Sequence, residues 1–557
     1  MKKIIFIAIA FLIFLPASDS KAADVSVNFY VDQNYDANER QNLQATLVKT
    51  TPSLYFYVEE NWWKAQSDPS KSEILSGFNS LSDEFASKIR PTLISILGSE
   101  WNPGIDGDGK ITVLFHNIEA SATGYFRTAD EYSKLQAPSS NQREMVYLST
   151  AQIVSPHLKE FLAHEFTHLI IFNQKDRMFG VAEETWLNEA IADYSITILG
   201  YNDVYQDSNL QRRVGDFLQK TDDSLTEWQN TKYDYALVNL LTHYLVDHYG
   251  YGILRNSLAS SLTGIDALDR ALLQNGAQEN FAQIFTNWTI AIVVNDCSLG
   301  AKYCYLNNNL VNVRINPALI FLPVSGNTSL SITNFTKYWS GNWQKVVGGS
   351  GDLKLQFSSQ ATLDFKVPYM LVDKNNNYLI ASLLLDKNNA GQISIEDFSN
   401  KYNSLIIIPS LQGKTAGFNG LEISHPFDIA ISALAKGPQE DEAVIQELLA
   451  QIDSLKKQIA ALQPGIDPES QCALSADLYY GVFNSSQVRC LQQFLTAQGA
   501  DIYPQGLVTG YFGNLTRLAV TRFQEKHRNE ILTPVGLSKG TGFVGMLTRA
   551  KINQLLK

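Results

Sequence analysis

The sequence predicts a multidomain protein in which an α+β region is followed by a β-sandwich, a short coiled-coil linker and a small three-helix C-terminal domain. Three observations lead to this prediction. The chain has 557 residues, which exceeds one compact core and favours roughly three to five folded units. Near residue 318 the pattern changes from mixed strands and long helices to short strands separated by turn residues. A heptad then runs between Pro438 and Pro464, and a compact stretch follows it.

Composition limits the classes of function. The formal net charge is −12 and no cluster of lysine and arginine is present, which excludes generic nucleic-acid binding. An aromatic content of 11% and a charged fraction of 18% exclude a wholly disordered chain. The 4 cysteines are too few for a disulfide-dense scaffold of this length.

Residues 1–22 have the three regions of a secretory signal peptide. Lys2 and Lys3 precede an apolar run over residues 4–15, and small residues up to Ala22 predict cleavage there. As a helix the run would span about 18 Å, short of the bilayer core of about 30 Å, and an uncleaved anchor is the alternative. No later segment is long and apolar enough to span a membrane, so we expect a secreted protein, extracellular or associated with the cell wall.

Export permits disulfide bonds. Cys297 and Cys304 lie seven residues apart, and Cys472 and Cys490 lie eighteen apart. Local pairing within each couple is the simplest of the three possible connectivities, with free thiols as the alternative.

Residues 23–317 form the predicted α+β region. Strands are predicted at 111–118 and 144–148. Helical periodicity follows in four segments, at 155–174, 184–199, 233–249 and 277–295.

Residues 318–437 form the predicted β-sandwich. Short β-branched and apolar runs alternate here with Gly, Asn, Asp and Ser turns, at 319–324, 330–332, 354–357, 379–385 and 404–408. The segment contains no set of chemically reactive residues, so a structural spacer is predicted.

Residues 438–464 carry the heptad. Isoleucine and leucine alternate at its apolar positions, which are Ile445, Leu448, Ile452, Leu455, Ile459 and Leu462. Isoleucine at a with leucine at d favours a two-stranded parallel coiled coil, although a helix this short is marginal alone. The segment therefore predicts either a weak homodimer through 445–462 or a semi-rigid helical spacer.

The chemically informative motif is His164-Glu165-Phe166-Thr167-His168, inside one of the predicted helices. Histidines at i and i+4 project from one helical face, which suits two ligands of a tetrahedral zinc ion. Glu165, next to the first histidine, is then placed to act as general base toward water activated by the metal.

A catalytic zinc site needs a third protein ligand and an open position. Glu189 follows His168 by twenty-one residues in another helical pattern and is the predicted ligand. Asp193 lies one turn further on the same face, where it is predicted to orient a zinc-binding histidine. Glu183 and Glu184 compete for the ligand role but have no partner at the corresponding spacing.

His164-Glu165-x-x-His168 followed by Asn188-Glu189-x-x-Ala192-Asp193 resembles the gluzincin metallopeptidases, and in particular the hyicolysin-like family of secreted bacterial peptidases. The run from Gly104 to Asp108 ahead of the zinc helix is also similar to that family. The resemblance covers about residues 100–250 and implies a thermolysin-like α+β fold with one catalytic zinc between its halves. The metzincin pattern needs Gly at 171 and His at 174, where this chain has Ile and Gln.

The resemblance also implies an oxyanion donor and a strand that pairs with the substrate backbone. Tyr233 falls where related enzymes carry the tyrosine donor, with Tyr235 second and His243 a weaker candidate. Ala236 stands where those enzymes usually carry Gly. A tyrosine packed on a helix face is the structural alternative. The substrate strand is predicted at 144–148.

Asp106-Gly-Asp108-Gly resembles a calcium loop. An EF-hand loop beginning at Asp106 would need Glu at position 12, which here is Asn117. A turn before a strand is therefore predicted.

The C-terminal region, 465–557, contains an internal repeat. Gly510-Tyr-Phe-Gly-Asn-Leu-Thr516-Arg and Gly542-Phe-Val-Gly-Met-Leu-Thr548-Arg are offset by 32 residues, and each predicts a glycine turn followed by a helix. Together with the helical pattern at 488–495, these residues resemble the peptidoglycan-binding domain of cell-wall hydrolases over about 475–555. The alternative is a small helical protein-interaction domain.

The sequence as a whole predicts a secreted zinc endopeptidase tethered to peptidoglycan through residues 465–557. Zinc is bound by His164, His168 and Glu189, with Glu165 as base. Asp193 and Tyr233 complete the predicted catalytic set. Two alternatives remain, a hydrolase of cell-wall peptide crosslinks and an inactive wall-binding scaffold.

Overall fold

The computed structural model describes residues 26–418, 420–435, 450–452, 454–455, 472–483 and 485–556. The predicted signal peptide and most of the heptad segment, with the predicted dimer, lie outside these residues. The chain divides into two compact units, Met1–Gly437 and Pro438–Lys557. Among the described helices, none has both the length and the apolar character needed to cross a bilayer.

A six-stranded mixed sheet begins the first unit, in the order β1-β2-β3-β4-β6-β5. Its strands are β1 (Ser26–Tyr30), β2 (Asn42–Thr50), β3 (Leu54–Glu59), β4 (Ile111–His116), β5 (Gly124–Phe126) and β6 (Met145–Ser149). β3, β4 and β6 are parallel, and β5 pairs antiparallel with β6. β5 therefore forms an edge of the sheet.

β4 and β6 are continuous apolar runs in the sequence because successive side chains face two different cores. Val113 and Val146 face the large core beneath the helices, whereas Leu114 and Tyr147 face a smaller core on the opposite side. Since both faces are covered, every residue of these two strands is buried.

In the described part of the first unit, ten α-helices pack around this sheet and its core. They are α1 (Glu60–Ala65), α2 (Asp68–Glu84), α3 (Arg90–Leu97), α4 (Leu158–Phe172), α5 (Thr185–Ile198), α6 (Asn209–Phe217), α7 (Lys232–Tyr249), α8 (Gly252–Leu258), α9 (Gly264–Gln274) and α10 (Phe281–Val294). The four predicted helical segments correspond to α4, α5, α7 and α10. α2 ends in a π-helical turn that leads into α3. The sequence analysis did not predict this turn.

Two further sheets follow, in the orders β14-β10-β17-β8 and β13-β12-β15-β9-β7. Their elements are β7 (Ala318–Leu322), β8 (Thr328–Thr336), β9 (Gln344–Gly348), β10 (Asp352–Ser359), β11 (Phe365–Lys366), β12 (Pro368–Asp373), β13 (Tyr378–Ser382), β14 (Ala390–Ile395), α11 (Phe398–Lys401), β15 (Tyr402–Ile407), β16 (Ser410–Leu411) and β17 (His425–Leu434). Both sheets contribute side chains to one core, and β11 pairs with β16. All pairs are antiparallel except β7 with β9.

The region of these sheets is also joined to the helical region. Trp339, Trp343 and Phe418 belong to the same buried cluster as α5, α7 and α10. The indole of Trp343 donates to the carbonyl of Thr289 at 2.7 Å, and Lys337 forms an ion pair with Glu227. The sheets that the sequence predicted as a structural spacer thus pack against the helical region.

The second unit is a small helical fold with its own core. Its helices are α12 (Ser486–Ala497), α13 (Asn514–Lys526), α14 (Arg528–Ile531) and α15 (Met546–Leu555). Disulfides join Cys297 to Cys304 in the first unit and Cys472 to Cys490 in the second, which confirms the predicted local pairing.

Candidate metal centre

Helices α4 and α5 bring three metal-ligating side chains together. His164 and His168 are one turn apart on α4, with ring centroids 4.9 Å apart. Glu189 on α5 faces both: its Oε2 lies 3.2 Å from Nε2 of His164 and 3.8 Å from Nε2 of His168. One ligand atom from each residue lies within 4.8 Å of the others.

This arrangement fits zinc. Bonds of about 2.0–2.2 Å in tetrahedral geometry place neighbouring ligand atoms about 3.3 Å apart. The two measured distances from Glu189 are close to that value. In addition, the buried Oε2 of Glu189 makes no hydrogen bond, although it lies among nitrogen atoms that bind metals. The competing carboxylates are occupied elsewhere, since Glu183 pairs with Lys175 and Glu184 accepts from the indole of Trp186.

The side chains of this group shift one another's pKa values. Burial lowers the pKa of His164, but Glu189 and the charge of Glu165 outweigh it and raise the pKa to about 9. Burial raises the pKa of Glu189, but the charges of His168 and His164 hold it below its usual value. Because zinc binds neutral imidazole, metal binding must displace a proton from this group.

Glu165 lies beside the three ligands, with a buried Oε2 that makes no hydrogen bond and lies 4.0 Å from Nε2 of His168. Burial raises the pKa of Glu165 to about 8. The charge of His164 opposes this shift, and the charge of Glu189 adds to it. The backbone of β5 passes close by: a Cβ at Gly124 would lie 2.9 Å from Oε1 of Glu165. Gly124 therefore allows the edge strand to approach Glu165.

The predicted substrate strand needs correction. Residues 144–148 correspond to β6, which is hydrogen-bonded to β4 on one side and to β5 on the other. An interior strand has no free backbone edge for a peptide. The free edge next to Glu165 belongs to β5.

Asp193 does not orient His164 or His168 through a hydrogen bond, contrary to the prediction. Its carboxylate accepts hydrogen bonds from Arg213 at 2.6 Å, Asn239 at 2.7 Å and Asn209 at 3.2 Å. Each oxygen already accepts two of these bonds, Oδ1 from Arg213 and Asn209 and Oδ2 from Arg213 and Asn239, which leaves none for an imidazole. Asp193 thus joins α5 to α6 and α7.

The partner of His168 is instead Asn188, which sequence reasoning missed. Oδ1 of Asn188 lies 2.7 Å from Nδ1 of His168. A hydrogen bond there leaves Nε2 free to face Glu189. The signal was present, because Asn188 directly precedes the predicted ligand.

The two candidate tyrosines lie on different sides of α7. The ring of Tyr233 lies beneath the ammonium groups of Lys220 and Lys232, at 5.6 and 5.1 Å. Tyr235 points the other way, because residues two apart on a helix are separated by about 200°. Its ring lies 6.4 Å from that of His164, and its pKa is raised by burial and by the charges of Glu189 and Glu165.

A further tyrosine reaches the site from the N-terminal sheet. Burial, followed by the charges of Glu189 and Glu165, raises the pKa of Tyr35 to about 12. Its ring stacks on Tyr125 of β5 at 4.6 Å. No local pattern marks Tyr35. His243, by contrast, is fully buried against Thr197 and Tyr194, and burial lowers its pKa to about 3.

In the second unit, each copy of the internal repeat is bound by a glutamine side chain, which the sequence analysis did not predict. Gln492 binds the first glycine turn: its Oε1 accepts from the amide of Gly510 at 2.9 Å, and its amide donates to Thr516 at 2.9 Å. Gln524 does the same 32 residues later, with Gly542 at 2.9 Å and Thr548 at 3.0 Å. The aromatic residues after the two glycines, Tyr511 and Phe543, are exposed.

Residues 484–530 match the family described as "Putative peptidoglycan binding domain". This match covers α12 and α13, inside the region for which that resemblance was predicted. No curated protein matches the sequence.

Similarities to solved structures are weak. PliG of Aeromonas hydrophila, a periplasmic inhibitor of g-type lysozyme, is 11% identical over 21% of this chain and 98% of its own, with a TM-score of 0.15. The pre-peptidase C-terminal domain of a Bacillus anthracis collagenase is 6% identical over 21% and 96%, with a TM-score of 0.14. The IMPa metallopeptidase of Pseudomonas aeruginosa is 8% identical over 78% and 53%, with a TM-score of 0.12. Similarities this low carry no argument about function.

Proposed function

We propose that this protein is a secreted zinc-dependent endopeptidase that binds the cell wall through its C-terminal unit. The observation that carries the proposal is the group of His164, His168 and Glu189, whose ligand atoms all lie within 4.8 Å of one another. Two histidines and one glutamate are a ligand set of catalytic zinc sites, in which a fourth position stays open. The two disulfides and the peptidoglycan-binding match support a location outside the cell.

A zinc ion in this site would polarise the scissile carbonyl and lower the pKa of a water molecule. Glu165 receives the proton of the attacking water on Oε2 and passes it to the leaving amine. Burial and the charge of Glu189 raise the pKa of Glu165, and the charge of a bound zinc ion would favour the carboxylate form that this role requires.

Tyr235 and β5 are the groups that we assign to the substrate. The ring of Tyr235 lies 6.4 Å from that of His164, and its hydroxyl donates to Asn230 at 3.2 Å. We assign this hydroxyl to exchange that partner for the oxygen that becomes negative in the transition state. The free edge of β5 pairs with the extended substrate backbone beside Glu165.

The test is zinc content and casein hydrolysis, measured together on purified full-length protein. We expect one zinc per chain in the wild type and in Glu165→Gln, with kcat of the variant lower by about 10²–10⁴-fold. Glu189→Ala should lose both metal and activity. His157→Ala is the matched control, because His157 lies on the approach to α4 and pairs with Glu160 rather than with the site.

The same experiment can contradict the proposal. Full hydrolysis by Glu165→Gln would exclude Glu165 as the base. Zinc without hydrolysis of casein, but with release of peptides from purified sacculi, would identify the protein as a hydrolase of cell-wall crosslinks. Hydrolysis of neither substrate would leave the inactive wall-binding scaffold.

Wall binding is tested separately, by co-sedimentation with insoluble peptidoglycan. The full chain should sediment, and a chain ending at Gly437, which retains the whole first unit, should stay in solution. Equal sedimentation of the two would exclude the C-terminal unit as the attachment site.

A further inference from the structure

Two glutamates away from the metal centre form a buried acidic pair. Glu131 follows β5 and Glu144 precedes β6, and their exposed fractions are only 2% and 1%. Neither carboxylate oxygen of Glu131 accepts a hydrogen bond, and neither does Oε2 of Glu144. The remaining oxygen, Oε1 of Glu144, accepts from the amide of Ile105 at 2.8 Å. The three other carboxylate oxygens are buried and accept no hydrogen bond from the rest of the described chain, and the two carboxyl groups lie within hydrogen-bonding reach of each other.

No counter-charge accompanies the pair. Within the described part of the chain, neither glutamate forms an ion pair with lysine, arginine or histidine. The neighbouring Arg143 is directed to the rings of Phe29 and Tyr57, at 5.2 and 6.0 Å. Asp106 and Asp130 add further negative charge near Glu131. Burying carboxylates without compensation is costly, so a positive species is needed to balance them.

The loop at 104–108 packs directly on this pair. Gly104 has φ of +87°, and a Cβ there would overlap the carboxylate of Glu144. Glu144 thus occupies the space in which a side chain of the loop would lie. The loop itself carries Asp106, which is exposed, and Asp108, which accepts hydrogen bonds from Tyr55 at 2.8 Å and from its own turn.

We propose that Glu131 and Glu144 are the fixed ligands of one calcium ion, held between the turn after β5, the start of β6 and the loop at 104–108. All the available donors are oxygen atoms, which calcium prefers over zinc. Calcium takes about six to eight oxygen ligands, and backbone carbonyls and water complete the set. This differs from the EF-hand that the sequence excluded, because the carboxylates come from outside the Asp-Gly-Asp-Gly loop.

The position suggests what the ion does. It ties together the two ends of the connection between β5 and β6, and β5 lies against Glu165. Calcium would therefore stiffen the edge of the sheet next to the metal centre. Extracellular sites of this kind have dissociation constants of about 10⁻⁴–10⁻³ M, which suits a secreted protein.

The experiment uses zinc-loaded full-length protein freed of calcium. Calcium binding is measured by titration calorimetry, and Tm is followed as calcium is added. We expect one calcium per chain and a rise of several degrees in Tm at saturating calcium. The double variant Glu131→Gln/Glu144→Gln should bind no calcium and show no rise. Its calcium-free Tm should equal or exceed that of the wild type, because two uncompensated charges are removed.

Two further variants make the result specific. Glu131→Gln alone should weaken calcium binding by about tenfold or more. Glu73→Gln removes an exposed carboxylate on α2 and should leave the calcium response unchanged. Calcium binding that persists in the double variant would overturn the assignment.

The competing explanation is a proton shared by the two carboxyl groups. Burial, opposed by the amide of Ile105, raises the pKa of Glu144 to about 7. A group with a raised folded pKa stabilises the fold while protonated and loses that contribution as the pH rises through its folded pKa. If the wild type binds no calcium, and its Tm falls between pH 5 and 8 while that of the double variant does not, the proposal is wrong.

Discussion

Asp193, which is buried, and Glu189, which is half-buried, lie one turn apart on α5 and have opposite surroundings. All the hydrogen bonds that hold Asp193 are internal, from Arg213, Asn209 and Asn239. Glu189 keeps a buried oxygen without a hydrogen bond, directed at two histidines. The comparison separates two roles for a buried acid: a fully paired carboxylate joins elements of the fold, whereas an unpaired one among nitrogen ligands is arranged to receive an ion.

The pKa shifts of the two carboxylates support this distinction. Burial raises the pKa of Asp193, but Arg213 outweighs it and holds the pKa low. The pKa of Glu189 is also held low, but by histidines. Arginine keeps its charge at every accessible pH, whereas histidine does not. The pairing of Asp193 is therefore permanent, and that of Glu189 is exchangeable.

The largest effect that we expect from a test of this comparison is a loss of stability when Asp193 is replaced. Asp193→Ala leaves Arg213 buried without its partner, and we expect the free energy of unfolding to fall by about 3–5 kcal/mol. The fraction that remains folded should still bind one zinc per chain. Chemical denaturation and metal analysis of the folded fraction measure the two quantities. Loss of zinc from folded Asp193→Ala would show that the two carboxylates do not have separate roles.

The next effect concerns the tyrosines of α7. Tyr235→Phe should lower kcat by about 10²–10³-fold with little change in KM, because it removes a hydrogen bond made mainly in the transition state. Tyr233→Phe is the matched control on the opposite face of the helix and should leave both constants unchanged. The reverse result would restore the order of candidates that the resemblance implied.

The smallest effect distinguishes the two asparagines near the carboxylates. Asn188→Ala removes the partner of His168 and should weaken zinc affinity by about 10–100-fold. Asn209→Ala removes a partner of Asp193 and should leave zinc affinity unchanged. Competition with a chromogenic chelator measures both affinities. Equal losses of zinc affinity in the two variants would mean that removing a partner of Asp193 also disturbs the zinc ligands through α5.

The sequence was most informative where function depends on spacing within one helix. His164 and His168 are four residues apart, so helical geometry alone places them on one face. Glu189 could be chosen by its pattern, and the structure brings it to them. The assignment of zinc as the ion remains a proposal.

Contacts between elements that are far apart in the sequence could not be predicted from spacing within one helix. Which face of α7 meets the metal centre depends on how α7 packs on α5, so Tyr233 and Tyr235 could not be separated by spacing. Tyr35 and Gly124 approach the site from the first sheet, more than a hundred residues and some forty residues before His164 in the sequence. β1, β2 and β3 carry mixed patterns that did not indicate strands, and their pairing fixes the sheet edge that β5 forms.

The tryptophans that link the later sheets to the helices limit how this protein can be dissected. Trp339 packs 5.3 Å from Phe281 and 5.4 Å from Phe285, between ring centroids. A recombinant fragment ending at the predicted boundary of 317 would present these aromatic rings to water, and we expect it to aggregate. Residues 23–317 and 318–437 therefore have to be expressed together. The sheets could not be exchanged on their own by gene shuffling. The C-terminal unit, with a core and a disulfide of its own, is the portable part of the chain.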